Sequence, residues 1–147
     1  MPKRMFVFVF LLLAGGCGGG NNTPGAPTPP VTQALSLSGT WNGTLGDASG
    51  TGQTTWNLTQ SSGAVSGAFT MTMTSNGFTS HGPVTGSLSG TTLTFTLNVT
   101  FDPPVSACTA TVNGTAQVTA TTVNGTYTGT NSCTGPFTTG QVTLAKQ

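Results

Sequence analysis

Any chemistry in this chain would have to come from very few side chains. Its 147 residues include three Lys or Arg, two Asp or Glu and one His. Lys3 and Arg4 stand at the very start. That leaves Asp47, His81, Asp102, Tyr127 and Lys146 as the groups that could move a proton or attack carbon. His81 lies in TSNGFTSHGP, a loop-like stretch. Asp47 sits in the turn-like GDASG and Asp102 precedes two prolines, so turn formation accounts for both carboxylates. A Ser–His–Asp set would have to assemble from separate loops, and the strained G-x-S-x-G elbow is absent. The expectation is a protein that is not an enzyme and uses no cofactor. A chain this close to neutral also lacks the clustered Lys and Arg that grip nucleic acid.

The start of the chain carries a different kind of information. Lys3 and Arg4 precede an unbroken apolar run, MFVFVFLLLA from Met5 to Ala14, and then Gly15, Gly16 and Cys17. A membrane-crossing helix needs about 20 apolar residues, whereas a shorter run behind a basic start suits the h-region of a secretory signal. The competing reading is a buried first element of the fold. Ala14-Gly15-Gly16-Cys17 resembles the lipobox of bacterial lipoproteins, with Ala14 where Leu is usual and Leu13 one place earlier. The resemblance implies that residues 1–16 are a signal peptide and that Cys17 is the lipidation site that holds the protein to a membrane. Each buried CH₂ of such a chain contributes about 0.8 kcal/mol. In that family an Asp after the Cys favours the inner membrane. Gly18 stands there instead, so the implied location is the outer membrane of a bacterial cell envelope.

Behind the cysteine, residues 17–36 form a tether, GGGNNTPGAPTPPVTQALS after Cys17, whose Gly, Pro and Thr content suits an extended spacer rather than a core. From Leu37 the pattern changes to period two. TLTFTLNVTF puts Leu93, Phe95, Leu97, Val99 and Phe101 on one face and Thr and Asn on the other. LSGTWNGTL does the same with Leu37, Gly39, Trp41, Gly43 and Leu45. Such alternation marks strands that are packed on one side and wet on the other. Strands are expected at 37–45, 51–60, 64–74, 83–89, 92–101, 107–119, 122–131 and 138–145, joined mostly by short turns. The fold class is therefore all-β, an antiparallel up-and-down meander barrel over residues 37–147, with an open two-sheet sandwich as the alternative.

A short unit recurs within these strands. It is Val65-Ser66-Gly67-Ala68-Phe69, Val84-Thr85-Gly86-Ser87-Leu88, Val112-Asn113-Gly114-Thr115-Ala116 and Val123-Asn124-Gly125-Thr126-Tyr127. Asn-Gly usually signals a hairpin turn, but two copies carry Ser-Gly or Thr-Gly in the same surroundings. All four read as strand, with the glycine on the inward face where it lets a sheet coil tightly.

With Cys17 assigned to lipid, Cys108 and Cys133 remain, in a compartment that permits a disulfide. The alternatives are two free thiols or part of a metal site, and a metal would need more ligands than these two and His81 supply. The register offers a check. If Ala120 and Thr121 form a two-residue loop, Thr119 faces Thr122, Val118 faces Val123, and an unbroken ladder puts Cys108 opposite Cys133. Non-hydrogen-bonded cross-strand Cα atoms lie about 4.5 Å apart, within disulfide reach.

Gly39-Thr40-Trp41 resembles the G-x-W opening of lipocalin-type barrels and the Gly-Thr-Trp of the first avidin strand. In lipocalins an Arg near the last strand packs on this Trp; the only candidate here is Lys146, so that element is missing. In avidins the first strand goes on to a biotin-binding Asn and Ser, where this chain has Gly43 and Asp47. Phe69 and Met71 stand where an avidin has a biotin-contacting Tyr and Ser. The further Trp residues that wall the biotin pocket have no counterparts beside Trp41 and Trp56. The resemblance implies the barrel and not biotin.

Two functions fit. A carrier would hold a small apolar ligand in a cavity lined by Trp41, Trp56, Phe69, Met71, Met73, Phe95 and Tyr127, unless those side chains simply fill the barrel. An interaction module would use the loops 74–83 and 102–107, with Phe78 and His81 as its contact residues, to engage an envelope protein or polysaccharide over a filled core. A cavity of several hundred Å³ would separate the two.

Overall fold

The computed structural model describes residues 34–147. The signal peptide, Cys17 and the tether up to residue 33 lie outside the described residues. Eight strands follow in order: β1 (Gly39–Asp47), β2 (Gly50–Ser61), β3 (Ala64–Met73), β4 (Thr79–Ser89), β5 (Thr92–Phe101), β6 (Thr109–Val118), β7 (Thr122–Asn131) and β8 (Gly135–Lys146). Each pairs antiparallel with the next, and β8 pairs back onto β1 to close the barrel. The sheet is an up-and-down barrel, not a sandwich, and closure leaves no free edge. The closed ladder and the core cluster both lie within residues 34–147.

The period-two pattern becomes an apolar interior and a hydroxyl-rich exterior. Along β5, Leu93, Phe95, Leu97 and Val99 are buried while Thr92, Thr94, Asn98 and Thr100 face solvent. A membrane-spanning barrel has the inverse arrangement, apolar outside. Where charged pairs would normally decorate such a surface, neutral cross-strand pairs do so. Thr40 Oγ1 donates to Asn57 Oδ1 at 2.9 Å, Thr55 Oγ1 to Asn42 Oδ1 at 2.8 Å and Thr96 Oγ1 to Asn113 Oδ1 at 2.9 Å. Each such pair contributes a few tenths to about 1 kcal/mol.

The repeated glycines face inward. A Cβ on Gly67 would collide with the Asn57 carbonyl oxygen, one on Gly86 with that of Thr94 and one on Gly125 with that of Thr115. These are the points where one strand curls down onto its neighbour. Gly114 has another role, because there a Cβ would meet the Phe95 ring. The glycine makes room for a core aromatic. Gly82 belongs to the first group, against the Asn98 carbonyl oxygen, and Gly140 to the second, against the Tyr127 ring.

The structure differs from expectation at three elements. β4 starts at Thr79 rather than at 83, because Pro83 does not end it. The β4–β5 ladder skips Gly82 and Pro83 and resumes at Val84, so the missing N–H is accommodated on that side. β8 starts at Gly135 rather than 138, and its register slips by one residue at Thr138–Thr139, a bulge opposite Tyr127–Gly129 at which Thr139 has φ of 67°. Leu37 is not on β1. Gly39, at φ of 126°, turns the chain, and residues 35–37 cross the end of the barrel like a strap.

That strap is tied on several sides. Leu37 N–H donates to Gln60 Oε1 at 2.7 Å, the Trp41 indole N–H donates to the Leu37 carbonyl at 2.7 Å, and Lys146 Nζ donates to the Ser36 carbonyl at 3.0 Å. The same ammonium lies 5.3 Å from the Trp41 ring centroid. Above the strap, Trp41, Trp56, Phe69 and Phe95 are fully enclosed, and Trp56 meets Phe95 edge-on at 5.3 Å. The Trp56 indole donates to Thr54 Oγ1, which itself donates to the Thr70 carbonyl, so both of these buried polar groups are matched.

Candidate ligand cavity at the open end

The two ends of the barrel are built differently. At the strapped end β2–β3, β4–β5 and β6–β7 are joined by tight turns. At the other end β3–β4 and β5–β6 are joined by the longer segments 74–78 and 102–108. Function concentrates on such loops when a rigid scaffold carries them. A cavity of about 440 Å³ opens between them, within the roughly 300–1,000 Å³ typical of small-molecule sites.

Phe69 and Leu97 form its floor. Met71, Met73, Val99, Phe101 and Tyr127 contribute to its walls, and Phe78, Val105, Phe137 and the Cys108–Cys133 pair stand at its rim. The cysteines form a disulfide with Cα atoms 5.6 Å apart. The β6–β7 ladder runs unbroken from Val118 opposite Val123 to Ala110 opposite Asn131, which brings the cysteines together just beyond its last pair. The only bulge in this part of the sheet lies on the other side of β7.

Of the seven residues expected to line a cavity, Phe69, Met71, Met73 and Tyr127 do so. Trp41, Trp56 and Phe95 lie below it in the packed core, at 1% exposure or less. Phe78 follows the 74–77 turn, where its N–H is held by Asn76 Oδ1 at 3.0 Å, and it contributes to the cavity mouth. His81 is not on a loop. It points outward from β4, with Nδ1 3.1 Å from Asp102 Oδ1, while Thr79 Oγ1 donates to Asp102 Oδ2 at 2.6 Å. The three residues brace the start of the 102–108 segment against β4 on the outer surface.

Ser49, Asn76, Thr79, Asn131 and Thr134 add polar atoms to the lining, and three further polar residues border the cavity. Asp47 ends β1; its Oδ1 accepts the Ser49 N–H at 2.7 Å, which fixes the β1–β2 turn, and the carboxylate also borders the cavity. Tyr127 is 6% exposed, and burial, reinforced by the Asp47 carboxylate, pushes its phenol well above the usual tyrosine range. Ser80 is 2% exposed and borders the cavity, and its Oγ is buried without a hydrogen-bond partner. Asp47 and Ser80 were not legible as site residues: one reads as a turn aspartate, the other as one serine among many. Leu97, Val99 and Phe101 carried a signal, since they share the inward parity of Phe95 in TLTFTLNVTF.

The chain matches no protein-family model, and no curated protein matches it.

Proposed function

We propose that this chain is a lipid-anchored protein of the bacterial envelope whose barrel binds a small apolar molecule in the cavity at its open end, and that its role is binding rather than catalysis. The observation that supports this is the cavity itself. Protein interiors are normally packed to crystal-like density, and the strapped half buries Trp41, Trp56 and Phe95 at 1% exposure or less. The open half instead leaves about 440 Å³ bordered mainly by aliphatic, aromatic and thioether side chains. The lipobox-like Ala14–Cys17 supplies the anchor. The described residues begin at the strapped end, and the mouth lies at the other end of the barrel.

Native mass spectrometry of residues 18–147, exported behind a cleavable secretory signal and purified without detergent, tests the binding reading. The expected result is a protein mass accompanied by an apolar adduct that organic extraction removes. A bare mass, with no uptake when apolar compounds are offered, would favour the interaction module and overturn the carrier. The anchor has its own readout: radiolabelled palmitate incorporated into the full chain and lost in Cys17→Ser.

A further inference from the structure

The cavity has a chemical bias beyond its apolarity. Among the described residues that line it Asp47 is the one charged side chain, and no described Lys, Arg or His borders it. Lys146 is at the opposite end of the barrel, tied to the strap. His81 lies on the outer face, already paired with Asp102. The polar groups stand on opposite walls. Ser80 is on β4, whereas Asp47 on β1 and Tyr127 on β7 flank β8, which lies diametrically across the closed sheet from β4. We propose that the cavity selects neutral or cationic apolar molecules bearing a hydrogen-bonding hydroxyl or N–H group, and rejects anionic amphiphiles such as fatty acids. The proposal rests on the ligand-binding reading and deepens it.

The physical argument has two halves. An anion entering this space would leave water for an apolar wall with no cation to pair with, next to a carboxylate of like sign. A ligand N–H or O–H would instead find an acceptor at the rim. Ser80 Oγ, a buried hydroxyl without a partner, is closed off from the open space and adds a second acceptor only where its neighbours shift. A carboxylate oxygen of Asp47 that is not engaged by Ser49 offers a charge-assisted bond at the rim.

The test uses two dyes that share a skeleton and differ in one charge: N-phenylnaphthylamine, neutral with an N–H donor, and the anionic anilinonaphthalene sulfonate. Both fluoresce on entering an apolar site. With residues 18–147, the neutral dye is expected to bind at least about tenfold tighter than the sulfonate, the scale of one like-charge repulsion across about 12 Å at an effective dielectric of about 20. Asp47→Asn, which retains an acceptor for the Ser49 N–H, should narrow that ratio, and so should high salt on the unaltered protein. Equal binding of both dyes, or tighter binding of the sulfonate, overturns the selectivity and leaves the carrier standing. Binding of neither dye overturns the selectivity and the carrier together.

Discussion

Tyr127 is the chain's single tyrosine, so its titration can be read without ambiguity. Burial first, and then the Asp47 carboxylate, favour the neutral phenol in the folded protein. The unfolded chain ionises first, as pH passes about 10. The contribution to stability is therefore fully present below that value and is lost as pH rises above it towards the raised folded pKa. The urea midpoint should fall between about pH 9 and about pH 11, and Tyr127→Phe should flatten that part of the profile. Phenolate absorbance should appear near the ordinary tyrosine pKa in urea and later in the native state. A native titration that matched the unfolded one would remove the burial argument. At this scale the sequence was informative about direction and silent about height. Strand parity told which side chains point inward, and Trp41, Trp56, Phe69, Phe95 and Tyr127 all do. It could not tell which of them end up in the packed half and which beside the cavity. That depends on the stagger between strands, a property of the closed sheet that no local pattern encodes.

Strand identity was largely legible because the signals agreed: β-branched Thr on the wet face, large apolar residues on the dry face, short turns between. The exceptions have local causes. The start of β4 was hidden by Pro83, the start of β8 by a bulge, and the strap by a glycine with positive φ. The recurring glycines make the sharper test of the element argument. Replacing a strand Gly by Ala ordinarily stabilises by about 0.4–1 kcal/mol when the backbone permits it, because the unfolded chain loses freedom. At Gly67 the sign should reverse, since the added methyl meets the Asn57 carbonyl on β2, which cannot rotate away as a side chain could. Gly67→Ala should destabilise by about 1–3 kcal/mol in urea unfolding. Ser66→Ala, one residue earlier and outward-facing, should change stability by less than about 0.5 kcal/mol. Equal, small effects at the two positions would mean that the sheet does not coil at Gly67 as described.

For the molecule as a whole, the closed sheet places a strapped end, with Leu37 and Trp41 fully buried, opposite an end that holds the cavity. The strapped end holds Leu37 at 0% exposure beneath the Trp41 indole, and its contacts span the first described residues, β2 and the last strand. The open end holds Met73, half-buried on the cavity wall, where its side chain faces space rather than a filled core. Truncating Leu37 leaves a hole that a tied-down strap is poorly placed to refill, so Leu37→Ala should cost about 2–5 kcal/mol of unfolding free energy. It should leave the ratio of neutral to anionic dye affinities as it was. Met73→Ala removes wall from a space that is already open, so its cost to stability should be well below that of Leu37→Ala while dye affinity falls. Unfolding curves and dye titrations on the same two variants measure both quantities. If Met73→Ala proved as damaging to stability as Leu37→Ala, the open end would be packed core, and the division of labour between the two ends would not hold.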